Sequence, residues 1–234
     1  MSVLAILILA LVPLKRAAIP FIPKDMAVTE NHIYLLGQQG FEIYELRGES
    51  LRVVYSSENP LRSIDADPIF LYFLDREGLK VLTGGAERAG VLKGGRFRDL
   101  AVSEAGIVFL LGREGDKLHL LDVEEEEFTL DYPAEKLECS PTGFLGFGRE
   151  KEIEIADSRG NPLGEISMKY RDFALGAEGL YIASAEGIFR VQVDSISNPT
   201  KLIGDSSIQL IDCLGDTVYY INALGELYLI SPTN

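Results

Sequence analysis

The 234-residue sequence predicts an all-β protein, a six-bladed β-propeller built from four-stranded antiparallel blades. Three observations support this fold class. An apolar skeleton recurs in six copies at intervals of 36–38 residues, and each copy contains four short strand-like runs separated by turn formers. No stretch outside the N-terminus keeps a helical period for three turns. Together these patterns favour propeller blades over a helical repeat.

The repeat is defined by one apolar residue that opens the first strand of each copy. These anchor residues are Met26, Ile64, Leu100, Leu137, Phe173 and Ile211. A small or medium apolar residue stands two positions after each anchor, and another apolar residue stands seven positions after it. Because neighbouring blades bury both faces of an inner strand, the first of these positions is suited to small apolar side chains.

Local patterns predict four strands in succession within each copy. An aromatic–aliphatic run follows the anchor strand, and a glycine-bearing hairpin, such as AEG at residues 185–187, leads into the third strand. The third strand alternates, as in FEIYEL at residues 41–46, and the fourth is shorter. The predicted propeller covers residues 13–234, with blades near 23–58, 60–95, 96–134, 135–169, 170–206 and 207–234, the last joined by 13–22.

The last blade is predicted to be completed by the beginning of the propeller segment. The sixth copy has no residues for a fourth strand after GELYLI at 225–230. The segment VPLKRAA at 12–18 aligns with NPTKLIG at 198–204, since Lys15 and Lys201 precede the next anchor by nearly the same distance. A strand donated in this way closes the ring and removes two exposed sheet edges.

Residues 1–12 form a hydrophobic segment with two interpretations. The aliphatic run at 2–14 is shorter than an ordinary membrane span of about 20 residues, but its length suits the apolar region of a signal peptide. We therefore expect an exported or membrane-associated protein, with residues 1–14 as the contact to the membrane. The alternative is a cytoplasmic protein in which this run extends a buried strand.

Charge and motif content exclude several function classes. A net charge of −14 and a pI near 4.6 oppose binding to phosphate backbones, so no nucleic-acid partner is expected. Cys139 and Cys213 fall on the inner strands of blades that are not neighbours, which predicts two buried free thiols. His32 and His119 fall on second and third strands, away from the channel, so a Ser-His-Asp arrangement has no base.

One copy resembles a known repeat family. The segment YRDFALGAEGLYIASAEGIFRVQVDSISNPTKLIGDS at 170–206 is similar to the LVIVD repeat of bacterial and archaeal surface proteins, and residues 98–122 match its first half. The remaining copies share only the apolar skeleton. The resemblance implies an exported propeller-forming protein, and it carries no catalytic residue to this sequence.

An acidic residue stands beside every anchor, on alternating sides. In copies one, three and five it directly precedes the anchor, and in copies two, four and six it directly follows. The first set is Asp25, Asp99 and Asp172, and the second set is Asp65, Glu138 and Asp212. Positions on either side of the anchor project to one face of the strand, about 7 Å apart along it. Two staggered acidic triads around the channel are therefore predicted.

The triads have two interpretations. Carboxylates on inner strands can accept hydrogen bonds from backbone N–H groups of the adjacent blade, which is a structural role. Alternatively, Asp65, Glu138 and Asp212 hold Ca²⁺ or Mg²⁺ in the channel, since three carboxylates with waters suit a hard cation. No cofactor is expected under the first interpretation.

The expected binding surface is the face that carries the loops into the inner strands, because loops vary while strands stay fixed. Basic residues two positions before the anchor meet the acids of the odd copies there. These rim residues are Lys24, Asp25, Arg62, Arg98, Asp99, Arg171 and Asp172.

The sequence thus predicts a non-catalytic, exported binding scaffold without catalytic residues. A protein is the expected partner, with a glycan or a small ligand as alternatives. The competing hypotheses are a hydrolase of the lactonase or esterase type that depends on a channel metal, and a structural subunit of a cell-surface assembly.

Overall fold

The structure, a computed structural model, describes residues 13–83, 89–122, 124–193, 196 and 198–231. Every regular element within these ranges is a β-strand, which confirms the all-β class. No helix able to cross a membrane occurs in the described part of the chain. Residues 1–12, for which a leader or anchoring role is predicted, lie outside the described residues.

The strands form six four-stranded antiparallel sheets, one for each copy of the repeat. The chain begins with β1 (Leu14–Ala18). The first blade contains β2 (Asp25–Val28), β3 (Ile33–Leu36), β4 (Glu42–Arg47) and β5 (Ser50–Ser56). The second contains β6 (Ile64–Ala66), β7 (Phe70–Leu74), β8 (Gly78–Thr83) and β9 (Gly90–Gly94). The third contains β10 (Phe97–Val102), β11 (Val108–Gly112), β12 (Lys117–Leu121) and β13 (Glu125–Thr129).

The second half of the ring repeats this order. The fourth blade contains β14 (Lys136–Cys139), β15 (Leu145–Arg149), β16 (Glu152–Ala156) and β17 (Pro162–Ser167). The fifth contains β18 (Asp172–Leu175), β19 (Gly179–Ser184), β20 (Gly187–Gln192) and β21 (Thr200–Ile203). The sixth contains β22 (Ile208–Leu214), β23 (Thr217–Asn222) and β24 (Glu226–Ile230). The six-bladed propeller predicted from the repeat is therefore confirmed.

Strand β1 completes the sixth blade, as the alignment of Lys15 with Lys201 predicts. It pairs antiparallel with β24, with Leu14 opposite Leu229. The turn before β24 is bound to the same segment, because the Ile19 N–H donates to the Gly225 carbonyl over 2.7 Å. Gly225 adopts a φ of +75°, where a side chain is unfavourable. The ring is closed by hydrogen bonds rather than by the covalent chain.

The first hairpin differs in length between blades. In blades one, two, five and six the residue two positions after the anchor pairs with the residue seven positions after it, as Val28 pairs with Ile33. In blades three and four the partner is one residue later, since Val102 pairs with Val108 and Cys139 with Leu145. The first hairpin of these two blades is therefore one residue longer.

The hydrophobic core lies between adjacent blades. Between blades three and four, for example, Phe109 and Leu111 of β11 pack against Leu137 and Phe147 of the next sheet, and all four are buried. Close packing depends on glycine at one junction. A Cβ on Gly146 in β15 would lie 2.8 Å from the Phe173 ring, so the aromatic residue of blade five requires glycine there.

Candidate binding site at the channel mouth

The six inner strands surround a central channel with a cavity at each end. One cavity has a volume of about 310 Å³ and is lined by all seven predicted rim residues. We call this end the basic mouth, defined by Lys24, Arg62, Arg98 and Arg171. The cavity at the other end measures about 170 Å³, and Glu30, Asp67 and Glu104 contribute to its lining. We call that end the acidic mouth.

The aspartates that precede the anchors bind the next blade. The Asp25 carboxylate accepts a hydrogen bond from the Ile64 N–H at 2.9 Å, across the junction of blades one and two. Asp99 accepts from the Leu137 N–H at 2.8 Å, across the junction of blades three and four. Each aspartate supplies an acceptor for a backbone N–H on an inner edge strand that would otherwise have none.

Two of the acids that follow the anchors repeat this contact, at the junctions of blades two and three and of blades six and one. Asp65 accepts from the Val102 N–H at 2.6 Å, and Asp212 accepts from the Val28 N–H at 2.7 Å. The second oxygen of Asp65 accepts from the N–H of its own neighbour, Ala66, at 2.7 Å. We call an aspartate that accepts a backbone N–H of the next blade a carboxylate staple.

Asp172 is the staple between blades five and six, where it accepts from the Ile211 N–H at 2.9 Å. The junction of blades four and five is different. Glu138 takes the equivalent position but binds the Lys136 ammonium at 2.9 Å instead of a backbone N–H of blade five. Lys136 also forms an ion pair with Asp172, so a lysine replaces the staple at this junction.

Lys136 is a central residue of the site that the sequence analysis did not identify. Burial opposes its charged form, but Asp172 and Glu138 raise its pKa well above the ordinary value, so it stays charged. A signal is visible in the sequence, because Lys136 directly precedes its anchor, where copies one, three and five carry aspartate. The ammonium therefore offsets part of the negative charge in the channel.

The remaining carboxylates lie in an environment that disfavours their charge. Burial raises the pKa of Asp25 and of Asp65 to about 7. Burial also raises the pKa of Asp99, Glu138 and Asp212. Repulsion adds to this effect, since Asp65 raises the pKa of Asp212.

The structure brings Asp65, Glu138 and Asp212 to the same section of the channel, where they line both cavities. Among the described residues, no group of three or more His, Cys, Asp or Glu side chains is arranged to hold a metal ion. Two of these three acids direct oxygens at backbone N–H groups instead. The channel cation and the metal-dependent hydrolase stay hypotheses that a binding measurement has to test.

The four basic residues of the basic mouth are exposed and contact backbone carbonyls. Lys24 donates to Leu61 at 2.8 Å, and Arg62 donates to Phe97 at 2.9 Å, each across a blade junction. Arg171 donates to Ile208 at 2.9 Å across the junction of blades five and six.

Arg98 donates to the Arg113 carbonyl of its own blade at 3.1 Å. Neither Arg98 nor the other three basic residues form an ion pair with an Asp or Glu in the described ranges. Carbonyl contacts fix the position of a cationic group but do not neutralise its charge. The basic mouth therefore presents four positive charges to solvent on a chain of net charge −14.

The cysteines and histidines lie outside this mouth. Cys139 and Cys213 are free, as predicted, but they are partly rather than fully buried and line the acidic mouth. Burial raises the pKa of both thiols, which disfavours a reactive thiolate. His32 forms a contact with Glu45, and His119 packs edge-on against an aromatic ring.

Comparisons with known proteins support the fold and no narrower assignment. No family model and no curated protein matches the chain, so membership of the LVIVD family is not confirmed. Among solved structures, the Neurospora crassa Pan2 WD40 domain is 12% identical, with 95% of this chain and 82% of that chain covered and a TM-score of 0.67. BamB from Moraxella catarrhalis is 11% identical, with coverage of 92% and 84% and a TM-score of 0.57. YCF48 bound to D1 peptide is 16% identical, with coverage of 90% and 78% and a TM-score of 0.58.

Proposed function

We propose that this protein is a non-catalytic binding module that takes up an acidic segment of a partner protein at the basic mouth. The observation that carries the proposal is the set of exposed, unpaired cations at one end of the channel. Lys24, Arg62, Arg98 and Arg171 surround a cavity of about 310 Å³ and have no carboxylate partner among the described residues. An anionic segment would supply the missing counter-charges.

Burial of the aspartates beneath the rim also favours an anionic partner. Raised pKa values reduce the charge of Asp25 and Asp99, and Lys136 forms an ion pair with Asp172, so the field at the mouth is less negative than the residue count indicates. A segment with several acidic residues would meet repulsion on most of this acidic chain, whereas four cations lie together at the basic mouth. The charge distribution therefore favours this end of the propeller for such a partner.

Solved propellers of similar fold support a binding role by analogy. YCF48 has been observed with a D1 peptide. At 16% sequence identity this similarity supports only the fold, so the partner of YCF48 cannot be assigned to this chain. A glycan or small ligand at the same mouth is the alternative ligand class, and tryptophan, a frequent glycan contact, is absent from the sequence.

Export and membrane association through residues 1–14 stay part of the proposal. Fractionation of a C-terminally tagged full-length chain tests it, because an exported or anchored chain leaves the cytoplasmic fraction. Recovery of the intact chain in that fraction alone would contradict this part and leave the binding proposal untouched.

The binding proposal is tested by titrating a fluorescently labelled acidic peptide against the purified protein and recording anisotropy. Arg98→Gln is the informative variant, since Arg98 contacts only a carbonyl of its own blade and its loss leaves the blade junctions intact. We expect Arg98→Gln to weaken binding by about threefold to tenfold, as for a charged contact of about 1 kcal/mol.

Arg159→Gln is the matched control, because Arg159 is an exposed arginine of blade four that does not line the basic mouth. It should bind the acidic peptide like the unmodified protein. Binding of an acidic and a neutral peptide with equal affinity, or equal loss in both variants, would refute the proposal.

A further inference from the structure

A third cavity lies between blades one and two, away from the basic mouth. Its volume is about 280 Å³. One wall belongs to blade one and includes Tyr34, Glu45 and Arg52, and the other belongs to blade two and includes Ile69 and Leu71. We call it the inter-blade pocket. Its interpretation does not depend on the proposed function of the basic mouth.

The pocket contains a charged residue at a position that is apolar in most blades. Glu45 of β4 stands opposite Tyr34 of β3 and opposite Arg52 of β5. The corresponding third-strand residues of the other blades are Val81, Leu120, Ile155, Arg190 and Leu229. The repeat thus shows that an aliphatic residue satisfies the fold here, and that blade one departs from it.

Glu45 is held in this position by two partners, His32 and Arg47. Its exposed fraction is 3%, its Oε1 lies 2.6 Å from His32 Nδ1, and its Oε2 accepts from Arg47 Nε at 2.8 Å. Burial acts to raise the pKa of Glu45, but the hydrogen bonds from Arg47 and His32 bring it below its ordinary value. A buried ion pair is often no more stabilising than an aliphatic side chain of similar size. Stability alone therefore gives no reason for the network.

The network leaves positive groups available in the pocket. Arg47 uses only Nε for Glu45, so both of its terminal nitrogens are free to bind a ligand. The side chain of Arg52 is exposed and forms no hydrogen bond or ion pair within the described part of the chain. The carboxylate of Asp67, which also lines the pocket, is engaged by the Tyr72 hydroxyl and by backbone N–H groups.

The opposite wall is apolar and unusually exposed. Ile69 is 70% exposed, while Leu71 and Leu82 form the buried part of this wall. The loop that carries Ile69 is fixed, because Asp67 accepts hydrogen bonds from the N–H groups of Ile69 and of the next residue, both at 2.7 Å. The isoleucine is thus presented to solvent by a defined turn.

We propose that the inter-blade pocket binds a small ligand in which a carboxylate is joined to an aliphatic body. The guanidinium groups of Arg47 and Arg52 take the carboxylate, since planar forked donors match its two oxygens. The aliphatic body lies against Ile69, Leu71 and Leu82. A cavity of about 280 Å³ is of the size that holds a small molecule.

The test is isothermal titration of the intact protein with octanoate, 1-octanol and octylamine, which share one body and differ in charge. Octanoate is expected to bind more tightly than octanol, and octylamine least tightly, because Arg47 and Arg52 repel an ammonium. Arg52→Gln should weaken octanoate by about tenfold, the loss expected for a charge-assisted pair. Arg52 has no partner in the fold, so this variant keeps its stability.

Arg159→Gln is the matched control, since Arg159 is an exposed arginine on another blade without an ion pair. It should bind octanoate like the unmodified protein. Absence of octanoate binding to the unmodified protein, equal affinity for octanoate and octanol, or equal affinity of the Arg52→Gln and Arg159→Gln variants would each overturn the proposal.

Discussion

Removing one carboxylate staple tests how the blades are joined at the channel. In Asp65→Ala, the N–H groups of Val102 and Ala66 lose the acceptors that lie at 2.6 and 2.7 Å. A buried N–H without an acceptor costs about 1–3 kcal/mol, so the gross loss is about 2–6 kcal/mol. Channel water and relief of repulsion from the other carboxylates offset part of it. We expect the free energy of unfolding to fall by about 2–4 kcal/mol.

Glu138→Ala is the matched control, because Glu138 occupies the equivalent position of blade four but accepts no backbone N–H. Lys136 keeps Asp172 as a partner in this variant. We expect a change within about 1 kcal/mol. Urea unfolding of both variants at one pH measures the difference. Equal destabilisation by the two substitutions, or a larger loss for Glu138→Ala, would refute the staple reasoning.

Three further predictions concern pH, ring closure and cations. The folded-state pKa values of Asp25 and Asp65 are raised to about 7, so these groups favour the folded state when protonated, and the urea midpoint should fall as pH rises from about 4 to about 7. A flat or rising midpoint in that window would contradict this assignment. Gly225→Ala places a Cβ 2.3 Å from the Ile19 carbonyl at φ +75°, whereas the Cβ of Gly48→Ala meets nothing within 4 Å at φ +60°. Gly225→Ala should therefore lower the melting temperature more than Gly48→Ala does. Equal losses would show that closure by β1 contributes little. Because Asp65 and Asp212 already accept backbone N–H groups, adding Ca²⁺ or EDTA should change the melting temperature by less than about 1 °C, whereas a rise with Ca²⁺ would support the channel-cation hypothesis.

The architecture can be predicted from the sequence because each blade buries apolar residues at the same positions of the repeat. The anchors and the alignment of Lys15 with Lys201 are sufficient to predict six sheets and the donated strand. The hairpin length of blades three and four was not predictable from this pattern. Apolar residues occupy both candidate positions there, as in Ile107 and Val108, so hydrophobicity cannot distinguish the two registers.

The candidate sites are only partly visible in the sequence. Alternation of the acids around the anchors predicts that they face one channel, and the structure shows five aspartates that accept N–H groups of the next blade. The role of Lys136 depends on the length of Glu138 and on the position of blade five. The contact of His32 with Glu45 depends on strand pairing within blade one, which residue spacing does not specify.

Hydrogen–deuterium exchange with and without the acidic peptide tests the central functional claim most directly. If the partner binds at the basic mouth, peptide addition should slow exchange in the segments that carry Lys24, Arg62, Arg98 and Arg171, and leave the acidic mouth around Glu30 and Glu104 unchanged. Protection confined to the acidic mouth or to the outer strands, or no protection under saturating peptide, would contradict the account.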